Sequence, residues 1–162
     1  MDKKLAAVIK YIIDVKHVND VTPKKLQKML YYSQAWHLAL TAENNEDEEI
    51  GNSLLFNENF QAWVHGPVIP EVYNKYKNNK SQPITESGFY DLEYTDVLNA
   101  DEIDNLNDVI DRYGELSGNQ LEALSHAELP WLEARNGILP LDSSNVIINN
   151  KTMYDYYSKL LV

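Results

Sequence analysis

The stretch FQAWVHGPVIPEVYNKY, residues 60–76, decides how this chain is organised. It reads as a strand ending in Trp63, a sharp turn through His65, Gly66 and Pro67, and a helix opened by Pro70. Glycine supplies backbone angles closed to other residues, and proline suits a first helical turn. Indole, imidazole and backbone groups therefore crowd together at the turn. Downstream, SHAELPWLEAR (125–135) has the same character, with His126, Glu128, Pro130, Trp131 and Arg135 close together. We expect the two stretches to meet in the fold and to build one polar, aromatic-lined centre.

Working outward, Leu5, Val8, Ile9, Ile12 and Ile13 recur at the spacing of one helical face, which predicts an amphipathic helix ending near Lys16. Thr22 then Pro23 gives a cap and a first-turn proline for PKKLQKMLYYSQAWHLAL. That segment is apolar around most of its circumference, Trp36 included, so it is expected to be the central buried helix. Its polar exceptions, Gln27, Tyr31, Gln34 and His37, need hydrogen-bond partners if buried.

ENNEDEE (43–49) is a like-charge run and predicts a solvated loop. SLLF and NFQAW, flanking Asn57 and Glu58, predict a short hairpin. After Tyr76 the polar run KNNKSQP predicts a mobile loop, and FYDLEY an extended segment. Asn99 with Glu102, and Ser117 with Gln120, carry capping-box spacing for two further helices, the first closed by Gly114. Pro130 opens a short helix through Trp131 and Arg135 that Gly137 ends. Asn150 caps a terminal helix whose Met153, Tyr157, Leu160 and Leu161 share a face. The fold class expected is mainly α: a single compact helical domain over residues 1–162 with a small β-hairpin.

Composition narrows the chemistry. The 162 residues hold 25 Asp and Glu against 14 Lys and Arg, a formal charge of −11, and no cysteine. Thiol chemistry, disulfides and cysteine-ligated metals are excluded. The acidity opposes direct nucleic-acid binding and favours basic protein partners. No apolar run is long enough to span a membrane, and no signal peptide opens the chain, so the cytoplasm is the expected compartment.

His126 and Glu128 resemble the His-x-Glu of zinc deaminases, but the cysteine ligands that site needs are missing. The four histidines, His17, His37, His65 and His126, lack metal-ligand spacing, and no phosphate-cradling glycine motif is present. No metal, no cofactor and no catalytic residue are expected. Read as structure, Arg135 can pair with Glu128 or with the acid-rich surroundings; the enzymatic alternative is a small hydrolase or transferase using His65, His126, Glu128 and Arg135 around one cleft. A weaker alternative is an acidic protein that mimics DNA.

Taken together, KLQKMLYYSQAWHLA (25–39), FQAWVHGPVIPEVY (60–73) and SHAELPWLEAR (125–135) resemble the Panacea antitoxin domain family, the SocA-like group of phage-associated proteins. The first block matches at Leu26, Gln27, Lys28, Leu30, Tyr31, Tyr32, Gln34 and Trp36. The second matches at Phe60, Ala62, Trp63, Gly66, Pro67, Val68 and Tyr73, and the third at His126, Glu128, Pro130, Trp131, Ala134 and Arg135. Ser125 stands where the family commonly has threonine, and His65 occupies a variable position.

The resemblance implies a mainly helical, non-enzymatic domain of prophages and bacterial chromosomes that neutralises a cognate protein toxin by contact. In the SocA branch it also implies a proteolytic adaptor that delivers the toxin to ClpXP. The candidate motif cluster is Gln27, Tyr31, Gln34, Trp36, Trp63, Gly66, Pro67, His126, Glu128, Pro130, Trp131 and Arg135, together with His65 at its variable position.

Overall fold

A computed structural model describes residues 1–161. Helix α2 (Pro23–Thr41) is the axis of the fold, buried at every position from Lys25 to Ala39. Thr22 caps it through a hydrogen bond from the Lys25 backbone N–H, with Pro23 in the first turn. Around it pack α1 (Lys3–Lys10), α4 (Pro70–Tyr76), α5 (Ala100–Tyr113), α6 (Gly118–His126) and α8 (Asn150–Ser158). The short helices α3 (Asp47–Asn52) and α7 (Leu129–Ala134) pack against α8. The fold is mainly α, as the sequence predicts, with one two-stranded antiparallel sheet among the described residues.

The expected α1 face is buried, and the helix runs on through a wider π turn, Tyr11–Val15, to Lys16. Both capping boxes form, Asn99 with Glu102 and Ser117 with Gln120, each side chain accepting from the other's backbone N–H. Gly137 leaves α7 at a φ of +82°. The terminal helix is capped one residue earlier than expected, by Asn149, and Leu160 and Leu161 lie exposed beyond its end.

Three of the expected elements take another form. The hairpin does not pair SLLF with NFQAW. It pairs β1 (Gln61–Trp63) with β2 (Gly66–Val68), so Gly66 and Pro67 sit in a strand and the turn falls at Val64 and His65. SLLF needs no partner strand because the Gln34 amide accepts from the Leu55 N–H and donates to the Phe56 carbonyl, both at 2.7 Å.

The acidic run is not all loop. Asp47, Glu48 and Glu49 form the first turn of α3, where carboxylates meet the positive end of the helix, and Ile50 buries behind them. FYDLEY forms turns and a 3₁₀ segment (Tyr94–Asp96) instead of extended chain. The segment that follows KNNKSQP is anchored, with the Ile84 N–H donating to the Val21 carbonyl and the Asp14 carboxylate accepting from the Ser87 backbone and hydroxyl.

Candidate functional site

The two motif stretches do meet, and the contact runs largely through backbone. Trp131 Nε1 donates to the Trp63 carbonyl at 3.0 Å. Arg135, 5% exposed, donates to the carbonyls of Ala62 (3.0 Å), Leu139 (2.9 Å) and Asp142 (2.7 Å). A guanidinium has five donors in a rigid fork and can hold several carbonyls at once. Arg135 thus fastens β1 to the loop after α7. Of the pairings open to Arg135 in the sequence, the one with Glu128 does not form. That carboxylate lies elsewhere, accepting from Tyr32 (2.5 Å) and Tyr157 (2.9 Å).

Trp131 is flanked by two of its motif partners. The His126 ring stacks on it at 3.9 Å and 13°, and the Arg135 guanidinium lies 5.3 Å from its centroid. His126 Nε2 is buried without a hydrogen-bond partner. Burial pushes this imidazole down from its ordinary value, with Glu122 opposing and Lys28, His65 and Arg135 adding to the shift, which favours the neutral ring.

On α2 the glutamines at positions 27 and 34 do similar work two turns apart. Gln27 accepts from the Ile69 N–H at 2.9 Å and donates to the Ile69 carbonyl, holding the chain between β2 and α4. Tyr31 and Tyr157 share a hydroxyl contact of 3.1 Å, and Trp36 Nε1 donates to the Tyr113 hydroxyl. His37 reaches Asn105. Burial raises Glu128 above the usual carboxylate range even though the Tyr32 and Tyr157 hydroxyls pull it down.

Gly66 marks a close approach between the hairpin and α2. Its φ is +109°, and a Cβ there would lie 2.6 Å from Lys28 Cε and 3.2 Å from Ser125 Oγ. Only glycine lets the hairpin close on α2 and α6 at this point. Beneath it, Lys28 is 1% exposed and its ammonium donates to the Pro67 carbonyl at 3.2 Å. Above, Glu122 Oε1 lies 2.8 Å from Lys24 Nζ, an ion pair, and 3.1 Å from His65 Nδ1. Burial pushes the Glu122 carboxyl up, but Lys24 and His65 outweigh it and hold the group below its ordinary value.

The four residues of the enzymatic alternative each take a different direct partner and do not line one recess. His65 pairs with Glu122, His126 stacks on Trp131, Glu128 faces two tyrosines and Arg135 faces carbonyls. The recess that His65 lines is not lined by His126, Glu128 or Arg135. Among the described residues no group of three or more His, Asp or Glu is placed to hold a metal ion, and no helix is long and apolar enough to cross a membrane.

Sequence reasoning missed the site roles of Lys24, Glu122 and Tyr157, and named Lys28 only as a motif match. One signal was available: Glu122 stands four residues before His126 on the same helix, which places them on one face.

A small helical domain whose motif residues pin strand, loop and helix to one central helix is the class this geometry defines. The family model described as antitoxin SocA-like, Panacea domain, matches residues 26–132, which contain the first motif block from Leu26, the whole second block and the third as far as Leu132. The chain belongs to that family. No curated protein and no solved structure matches it.

Proposed function

We propose that this protein is an antitoxin that neutralises a cognate protein toxin by direct contact, without bond-making chemistry, and that residues 1–162 form one Panacea domain. The observation that carries the reading is where the motif side chains point their polar atoms. Gln27, Gln34, Trp131 and Arg135 all bond to backbone of neighbouring segments, which supports a scaffold whose outer surface does the recognising.

That surface has one feature suited to a basic partner. Asp101, Asp104, Asp108 and Asp111 are all exposed on α5, and their spacing places them on one helical face. With a formal charge of −11, the field around this face speeds encounter with a basic toxin and disfavours nucleic acid. The cytoplasm is the compartment this role requires.

The test is to express the product of the neighbouring gene alone and together with this protein. Growth should stop in the first case and recover in the second, and the two proteins should co-purify. Asp104→Lys, Asp108→Lys and Asp111→Lys combined should weaken both recovery and co-purification. A neighbour that is harmless alone, or toxicity that persists with no complex formed, overturns the reading. Loss of toxin only where ClpX is present adds the adaptor role.

A further inference from the structure

A recess of about 390 Å³ opens between α2, the hairpin and α4. Trp63 and Tyr73 line it with their rings 5.0 Å apart, Gln27 and the buried Lys28 lie at its base, and the exposed Lys77 and Lys80 stand at its rim. Although Asp and Glu outnumber Lys and Arg 25 to 14 in the chain, no carboxylate is among the lining residues. Lys24 also lines the recess but is already held by Glu122 and Asn119. Lys77 and Lys80 have no acidic partner among the described residues, and the Lys28 ammonium has one protein acceptor for its three donors.

We propose that this recess binds a small phosphorylated molecule carrying a flat ring, of the nucleotide class. The ring lies against Trp63 and Tyr73, and the phosphates sit between Lys77 and Lys80. The volume falls in the range of small-molecule pockets, aromatic faces accept bases without regard to sequence, and lysines meet phosphate as point charges. The Gln27 amide is committed to Ile69 on both sides, so it is not free to read a base edge. Selectivity therefore follows phosphate number more than base identity.

Titrating the full chain with ATP, AMP, adenosine and inorganic pyrophosphate, by calorimetry and tryptophan fluorescence, tests this. ATP should bind more tightly than AMP, and adenosine and pyrophosphate alone should each bind at least about tenfold more weakly than ATP. The ATP-dependent fluorescence change should vanish in Trp63→Phe. The double variant Lys77→Gln, Lys80→Gln should weaken ATP binding about tenfold with an unchanged melting temperature, because both side chains are exposed.

Absence of ATP binding, or equal binding by the double variant, overturns the proposal. Pyrophosphate as tight as ATP reduces the recess to a nonspecific anion site and overturns it too. Displacement of ATP by an oligoglutamate peptide of equal affinity replaces the nucleotide with an acidic segment of a partner protein.

Discussion

The guanidinium of Arg135 donates at 3.0 Å to the carbonyl of Ala62, 73 positions earlier, and through this contact the third motif block holds the second. Two further short bonds, to Leu139 and Asp142, make the same side chain a clamp between β1 and the loop that follows α7.

Arg135→Ala strips donors from a set of carbonyls, of which that of Ala62 is buried, and should destabilise the fold by about 2–4 kcal/mol. Arg135→Lys should recover little, since one ammonium cannot reproduce the fork. Urea unfolding measures both. A lysine variant as stable as the parent would mean that charge matters here and geometry does not.

Trp131, at 8% exposure, should lose about 3–5 kcal/mol on truncation to alanine, while the less deeply buried Trp63 should lose clearly less. Trp131→Phe keeps most of the packing and loses the bond to the Trp63 carbonyl, so about 1 kcal/mol beyond the packing change is expected. Melting curves of the three variants should therefore rank Trp131→Ala lowest.

Gly66→Ala combines backbone strain with a clash against Lys28 and should cost about 2–4 kcal/mol. Pairing it with Lys28→Ala relieves the clash but leaves the strain, so the double variant should be more stable than the two single costs added together. Strict additivity in that cycle would place the whole penalty in the backbone.

Burial pushes the Lys28 amine down to about 7, with Glu122 pulling it up and Lys24 pushing it down further. His65, on the hairpin, faces the same Glu122. Between the folded value near 7 and the ordinary value of 10.5, the unfolded chain holds a proton that the folded chain lacks. This group therefore makes stability rise with pH across that window, and the full cost of burying the charge applies below it. Lys28→Met should be about 1–3 kcal/mol more stable than the parent near pH 6, with the advantage shrinking toward pH 10. Unfolding curves at three pH values decide the point, and an advantage that does not change with pH refutes the assignment to Lys28.

Much of this was legible in the chain because it is local. The caps at Thr22, Asn99 and Ser117, the apolar stripe of α1 and the helix opening at Pro70 each depend on residues a few positions apart. The family followed from three short blocks whose order and spacing can be read in one dimension.

The tertiary structure decided which strand pairs with which, and where each buried polar atom finds its partner. SLLF resembles a strand, yet its backbone bonds are met by Gln34, 21 and 22 positions away. Glu128 and Arg135 look like an ion pair seven residues apart, but folding sends one to tyrosines on α2 and α8 and the other to carbonyls. Gathering Lys28, Lys77 and Lys80 around Trp63 in an acidic chain is likewise a product of chain crossing. Sequence fixes what each residue can donate, accept or bury, whereas long-range packing selects the partner, because the desolvation cost of a polar group is met by whichever group the fold brings within reach.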